Sequence, residues 1–378
     1  MRLATPACRL VGAMSVPDLT ERLVRHIRAH GPMTIAAYMA VALHDPDCGY
    51  YARRNPLGAC GDFVTAPEIS QIFGELIGLW STDLWRLMGS PNPVILAELG
   101  PGRGTLMADF LRATRHVDGL HEALRAYLVE ASPLLRETQR QTLKGIEPVW
   151  VSSFDEVPDG PLLLVANEFI DALPIRQLVR GRTHWAERMV ATDASSRLAF
   201  ADGPESRALS LLVPSALRDA GPGAVVEICP AAATLATILA ERLARQPGAA
   251  LFIDYGYAEG SPGNTLTAIS AHRGASVLDR PGEADLSAHV DFAAFAETAR
   301  TAGAAVHGPV TQSAFLTALG AEARLAALLR NADFAQCGAL ETGLRRLIDP
   351  QEMGTLFKVL AVTSPGIPAP AGFGGEPC

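Results

Sequence analysis

Between Pro93 and Thr105 the chain reads Pro-Val-Ile-Leu-Ala-Glu-Leu-Gly-Pro-Gly-Arg-Gly-Thr, a short apolar run that ends in an acid and enters a glycine loop. A run of that length, closed by glycines and followed by the helical spacing of Leu106 to Leu111, is a buried strand, a turn and a helix. This is the opening of a nucleotide-binding α/β unit. The spacing Gly100-x-Gly102-x-Gly104 departs from a dinucleotide fingerprint, which needs its third glycine at position 105, where Thr105 stands.

Glu98 separates the two ligand classes that such a loop serves. A dinucleotide lays a doubly negative pyrophosphate over the turn, where the helix N-terminus favours anions and a carboxylate does not. S-adenosylmethionine (SAM) brings a sulfonium and an ammonium to the same place, and an acid there attracts both. Glu98, Gly100, Gly102, Gly104 and Thr105 are therefore read as a SAM loop; the plain alternative is a tight turn whose glycines only permit positive φ. Glu130 ends the second expected strand, where a carboxylate accepts from both hydroxyls of a ribose. A solvated acid at the helix start Glu130-Ala131-Ser132-Pro133 competes with that reading. Ser153 and Phe154, after the third strand, are placed as a polar contact and an apolar wall for adenine, or else as a cap and a core residue.

The 378 residues, 48% hydrophobic and 19% charged, suit a folded chain of one large domain with additions, or of two domains. No unbroken apolar run reaches about 18 residues, so no membrane span is expected. A formal net charge of −8 makes nucleic acid a poor partner. The six cysteines show no CxxC pair and no framework spacing, which points to reduced thiols in a cytosol-like compartment. The histidines and cysteines are read as forming no metal-binding cluster, and no metal is expected. Lysine occurs only at 144 and 358 while arginine is abundant, which fits a GC-rich bacterial coding style. The cytoplasm is the expected location for a bacterial chain, the mitochondrial matrix for a eukaryotic one.

Apolar residues recur at helical spacing from Val16 to Ala42 around a Gly31-Pro32 break, and His44 to Phe63 reads as an irregular loop. Thr65-Ala66-Pro67-Glu68 reads as the capping box of one helix that buries Ile69, Ile72, Phe73, Leu76, Ile77 and Trp80. Strands are expected at Val94–Leu99, Ala126–Val129, Val149–Val151, Leu162–Ala166, Ala250–Ile253, near Val306 and at Leu356–Val362. Their alternation with helices suits a parallel sheet covered on both faces. Gln177 to Phe200 alternates around Gly181 and Thr192-Asp193 as antiparallel hairpins do, and reads as an insertion.

Asn167-Glu168-Phe169-Ile170-Asp171-Ala172-Leu173-Pro174 follows the fourth strand and should stand at the carboxyl edge of the sheet beside the glycine loop. Its amide and two carboxylates, Asn167, Glu168 and Asp171, suit a nitrogen nucleophile, and a guanidinium in particular. Methyl transfer from a sulfonium is an in-line displacement that mainly needs alignment. A Glu168 that only braces the loop backbone is the competing reading. Asp254 and His289-x-Asp291 add polar groups near the same edge, with Asp291 also an N-cap for the next helix.

Taken together, Tyr38-Met39, Leu43-His44-Asp45-Pro46, Gly49-Tyr50-Tyr51 and the block from Gly61 to Glu75 resemble the MidA family of SAM-dependent methyltransferases. The resemblance continues through Glu98 to Gly104, Asn167 to Pro174, Asp254-Tyr255-Gly256, Thr265-Leu266, His272 and Asp285 to Phe292, covering about Tyr38 to Val362. It implies an α/β fold with a Rossmann-like class I methyltransferase sheet of seven strands, the last one antiparallel, an N-terminal helical region and an inserted β-rich subdomain. On that reading residues 1–15 are disordered, 16–90 form the helical region over the cofactor, and 91–362 form the core, interrupted at about 175–225. Residues 363–378 form a disordered tail. The resemblance further implies SAM as cofactor and protein arginine N-methylation, since mitochondrial members of the family are complex I assembly factors that methylate an arginine of a complex I subunit. A non-catalytic SAM-binding assembly factor and a small-molecule methyltransferase stay compatible with the same residues.

Overall fold

The computed structural model describes residues 18–53, 64–270 and 272–374, so the N-terminal segment expected to be disordered and Gly61 to Phe63 lie outside the described residues. Seven strands make the main sheet: β1 (Val94–Leu99), β2 (Leu124–Val129), β3 (Val149–Val151), β4 (Leu162–Asn167), β5 (Gly248–Tyr257), β6 (Ala305–Thr311) and β7 (Phe357–Thr363). Their order across the sheet is 6-7-5-4-1-2-3. Strands β1 to β5 run parallel, and β7 is antiparallel to both of its neighbours. A two-residue strand, Val290–Asp291, pairs with the end of β5.

The chain steps outward from β1 to β3 and then crosses back to β4 on the other side of β1. Strand order therefore reverses between β1 and β4, and a sheet of this kind takes its ligand in the crevice beyond the carboxyl ends at that point. Register brings those ends level: Leu99 lies opposite Val129 and Ala166, and Asn167 lies opposite Ile253.

At the N-terminal end, α1 (Leu19–His30) buries Leu19, Leu23 and Ile27 at four-residue spacing and stops where Gly31 takes a φ of 89° and its N–H returns to the Ile27 carbonyl. Then α2 (Ile35–His44) packs Ile35, Tyr38 and Met39 against Ile175 and Val190. The single helix expected from Thr65 is two. Thr65 makes no side-chain cap, α3 (Ala66–Ile69) is one turn, and Ser70 is extended, its hydroxyl accepting from the Ile72 N–H at 3.3 Å to cap α4 (Gln71–Leu87). Ser70 breaks the run because it offers the next helix a better cap than a continued turn would. In α4, Gly74 and Gly78 face α5 (Thr105–Thr114): a Cβ on them would stand 2.7 Å from Asp109 Cβ and 3.1 Å from the Phe110 carbonyl oxygen. Only glycine permits that crossing.

Alternation along β1 divides its side chains between two cores. Val94 and Leu96 meet Phe73, Ile77 and Phe110 on one side, while Ile95, Ala97 and Leu99 meet Leu239 and Phe295 on the other. Arg176–Arg180, Trp185–Thr192, Leu198–Asp202 and Val225–Ile228 form a separate antiparallel sheet, which Met33–Thr34 joins. Gly181 and Asp193 lie in turns between its strands, next to where the alternation puts them, and Thr192 ends the strand before the second turn.

The Pro/Gly stretch after β7, expected to be disordered, instead packs as far as it is described. The Ser364 hydroxyl donates to the Gln246 carbonyl at 2.7 Å, the Trp80 indole donates to the Ala371 carbonyl at 3.1 Å, and Phe373 is buried against Phe315. Composition marks such a stretch as mobile, but one aromatic anchor and two hydrogen bonds suffice to seat it. Beyond β6, the helices Gln312–Ala318, Ala321–Leu329 and Phe334–Ile348 complete the first core. Glu75, 1% exposed, joins two of the layers by pairing with Arg112 at 2.6 Å and Arg324 at 2.7 Å.

Candidate active site

The glycine loop turns sharply because Gly100, Gly102 and Gly104 all take positive φ, at 59°, 53° and 84°. At Gly100 the absence of a side chain also matters spatially, since a Cβ there would stand 2.9 Å from the Phe169 ring. The loop after β1 and the loop after β4 thus touch. Glu98, one residue before the end of β1, is 4% exposed, and its Oε2 has no hydrogen-bond partner among the described residues. Burial pushes its carboxyl up to about 8. Thr105 opens α5, and its hydroxyl is taken by Glu68, whose carboxylate also stands 3.8 Å from Arg103. Sequence reasoning assigned Glu68 to a capping box. The structure turns it to the glycine loop instead.

Glu130, just past β2, is buried and accepts from the Ser132 N–H at 2.8 Å and from Gln139 Nε2 at 3.2 Å. Burial raises its carboxyl and those two donors pull it back. Ser153 and Phe154 do not reach the cavity. Ser153 is exposed and caps a short turn with Glu156, while Phe154 packs under the Arg242 guanidinium, 5.5 Å from its ring centre. Ser152 lines the cavity in their place. Ser153 and Phe154 thus take the cap and packing places that competed with the adenine reading.

Asn167 ends β4, and its Nδ2 donates to Glu168 Oε1 at 3.1 Å while its Oδ1 has no partner among the described residues. Glu168 has a positive φ of 49°, and Oε1 also accepts the Ala66 N–H at 3.0 Å, a bond from α3 across the sheet edge. Burial, opposed by the Ala66 amide and helped by Asp171, pushes Glu168 up to about 7. Asp171 accepts the Tyr255 hydroxyl at 2.6 Å on Oδ2, and its Oδ1 has no partner among the described residues. Burial raises Asp171 to about 6.

A cavity of about 510 Å³ opens at this edge. It brings together Glu98, Gly100, Gly102, Thr105, Glu130, Asn167, Glu168 and Asp171, with Gly104 just beneath. Tyr51 and Asp285 also line it, joined by a 2.9 Å hydrogen bond, and neither was singled out from the sequence as a site residue. Their only advance signal was membership of the blocks quoted for the family resemblance. His26 and His30, a four-residue pair that the reading of the histidines passed over, have rings 4.6 Å apart on α1. Among the described residues no group of three or more His, Cys, Asp or Glu is placed to hold a metal, and no helix is long and apolar enough to cross a membrane.

Residues 76–310 match the model of a family described as S-adenosyl-L-methionine-dependent methyltransferases. The chain belongs to that family. The methyltransferase is 38% identical over 375 residues to a Xenopus laevis protein named protein arginine methyltransferase NDUFAF7, mitochondrial, covering 92% of this chain and 85% of the relative. It is 38% identical to the Drosophila melanogaster homologue, covering 93% and 85%, and 34% identical to the human one, covering 92% and 83%. A COG1565 superfamily member from Burkholderia thailandensis, solved bound to S-adenosyl-homocysteine, superposes with a TM-score of 0.81 at 30% identity and 95% coverage of each chain.

The cavity of the methyltransferase suits its cofactor. Three buried oxygens that lack a donor, Glu98 Oε2, Asn167 Oδ1 and Asp171 Oδ1, belong to residues of this one wall. A buried acceptor left empty costs about 1–3 kcal/mol, so such a cluster favours ligands rich in N–H donors and positive charge. SAM and a cationic acceptor are both of that kind.

Proposed function

We propose that this methyltransferase moves the methyl group of SAM to an arginine nitrogen of a protein. The observation that carries the reading is the pair of acceptors, Asn167 Oδ1 and Asp171 Oδ1, that flank Glu168 without a partner among the described residues, none of which bonds a cation to any of the three groups. A guanidinium offers five N–H donors in a planar fork, enough to meet both acceptors. SAM supplies an electrophilic methyl carbon. In this reading Glu98 pairs with its ammonium, Glu130 meets the ribose hydroxyls, and Asn167 and Asp171 align the guanidinium. One proton leaves the guanidinium as the new C–N bond replaces the C–S bond. Glu168, held near 7, takes it.

The named relatives support a protein arginine as acceptor, and the resemblance makes a respiratory complex I subunit the first partner to examine. The cytoplasm of a bacterium, or the matrix of a mitochondrion, is the matching compartment. The test is transfer of tritium from labelled SAM into lysate proteins, followed by identification of the modified residue. A labelled protein carrying methylarginine is expected. SAM binding with no labelled band would replace the reading with a non-catalytic assembly factor, and label confined to low-mass products would replace it with a small-molecule methyltransferase.

A further inference from the structure

We propose that Asp254 is the positioning residue of the acceptor loop, gripping the turn from Glu168 to Asp171 from beneath without reaching the acceptor. The inference rests on the acceptor reading above. Asp254, near the end of β5, is 1% exposed and takes no part in the cavity wall. Its Oδ2 accepts the N–H groups of Phe169 at 3.2 Å, Ile170 at 2.9 Å and Asp171 at 3.2 Å, and its Oδ1 accepts that of Tyr255 at 3.0 Å. Successive N–H groups converging on one point form a nest that commonly binds an anion. Here the chain closes the nest with its own carboxylate.

The turn needs such a hold. It begins at Glu168, whose φ of 49° lies in the left-handed region that a residue with a side chain seldom adopts, and such a conformation persists only where its surroundings over-determine it. The Glu168 N–H is tied to the Ile253 carbonyl at 2.9 Å, one residue before Asp254. The residue after Asp254 completes the arrangement: the Tyr255 hydroxyl fixes Asp171 Oδ2, which leaves Oδ1 as the free acceptor. Three consecutive residues of β5 thus set where the loop backbone lies and which carboxylate oxygen is offered. Glu168 and Asp171 do the chemistry, and Asp254 acts through them.

The experiment is a double-mutant cycle in the full chain, reading tritium transfer from labelled SAM to an arginine-containing peptide and SAM affinity by calorimetry. Asp254→Asn keeps a carbonyl oxygen for the three loop amides but sets an NH2 group against the Tyr255 N–H, while Asp254→Ala removes both acceptor oxygens and with them all four hydrogen bonds. Asp254→Asn should hold SAM affinity within about twofold of wild type and lower kcat about tenfold, with a larger fall for Asp254→Ala. In an Asp171→Asn background, Asp254→Asn should cost less than about twofold more, because residues that act as a unit are not additive. Additive losses, or a fall in SAM affinity as large as the fall in kcat, would overturn the assignment. Should Asp254→Ala fail to fold, the milder variant still decides. A wild type that binds SAM yet labels no arginine sinks the acceptor reading and this role with it, whereas additive losses sink the role alone.

Discussion

Glu98 is a buried carboxyl group whose Oε2 has no hydrogen-bond partner among the described residues, and burial holds it near 8, far above its value in an unfolded chain. The sign follows from linkage: the native state keeps a proton that the unfolded chain has lost. The stabilisation is complete below about 4.5 and is lost as pH rises through about 8. A bound ammonium replaces that proton, so SAM binding at neutral pH should release close to one. Calorimetry in buffers of different ionisation enthalpy measures the release directly, and affinity should rise by up to about tenfold per pH unit between about 6 and 8. Glu98→Gln should bind SAM more weakly and lose this pH dependence; a binding heat indifferent to the buffer would remove Glu98 from the cofactor site. Glu168→Gln should lower kcat by about 100-fold at near-native SAM affinity, and should abolish the rise of activity with pH through about 7. Glu98, Glu130 and the Asn167 to Asp171 turn were legible because each follows an apolar run that could only be a central strand. Glu68 and Tyr51 were not, since they reach the cavity from the N-terminal region and no local pattern marks a long-range contact.

At the level of elements, the seven strands of the main sheet were legible to within a few residues, the central ones β1 and β4 because buried parallel strands read as unbroken apolar runs. The division of α3 from α4 was hidden, since Thr65 and Ser70 are both good caps and only packing decides which one serves. Ser70→Ala should cost about 1 kcal/mol in urea denaturation, and Thr65→Ala much less, since its hydroxyl caps nothing. The short α3 earns its place through the site: its first amide holds Glu168, and Glu68 holds Thr105. The seated C-terminal stretch makes a separate claim. Phe373→Ala should lower stability by about 3 kcal/mol with SAM affinity intact, because Phe373 touches Phe315 rather than the cavity.

Across the whole molecule, Glu75 joins α4, α5 and the helix Ala321–Leu329 through Arg112 and Arg324. Burial works against its charge, yet the two arginines hold it below the ordinary carboxylate range. Glu75→Gln would remove the carboxylate that pairs with Arg324 and leave Arg112 with Asp109 alone, and should destabilise by about 3 kcal/mol, read as a shift in the denaturation midpoint at constant slope. The site itself is drawn from distant parts of the chain. Ala66 meets Glu168 across 102 positions, and Asp254 reaches the acceptor turn across 83 to 85. During synthesis the glycine loop and Glu130 emerge well before β5 exists, and loops that long must close before their contacts reward it. The turn from Glu168 to Asp171 can therefore meet Asp254 only once β5 has left the ribosome. On the Asp254 assignment, competence for methyl transfer waits on the pairing of β5 with β4, so methylation by this protein would report a chain folded at least that far.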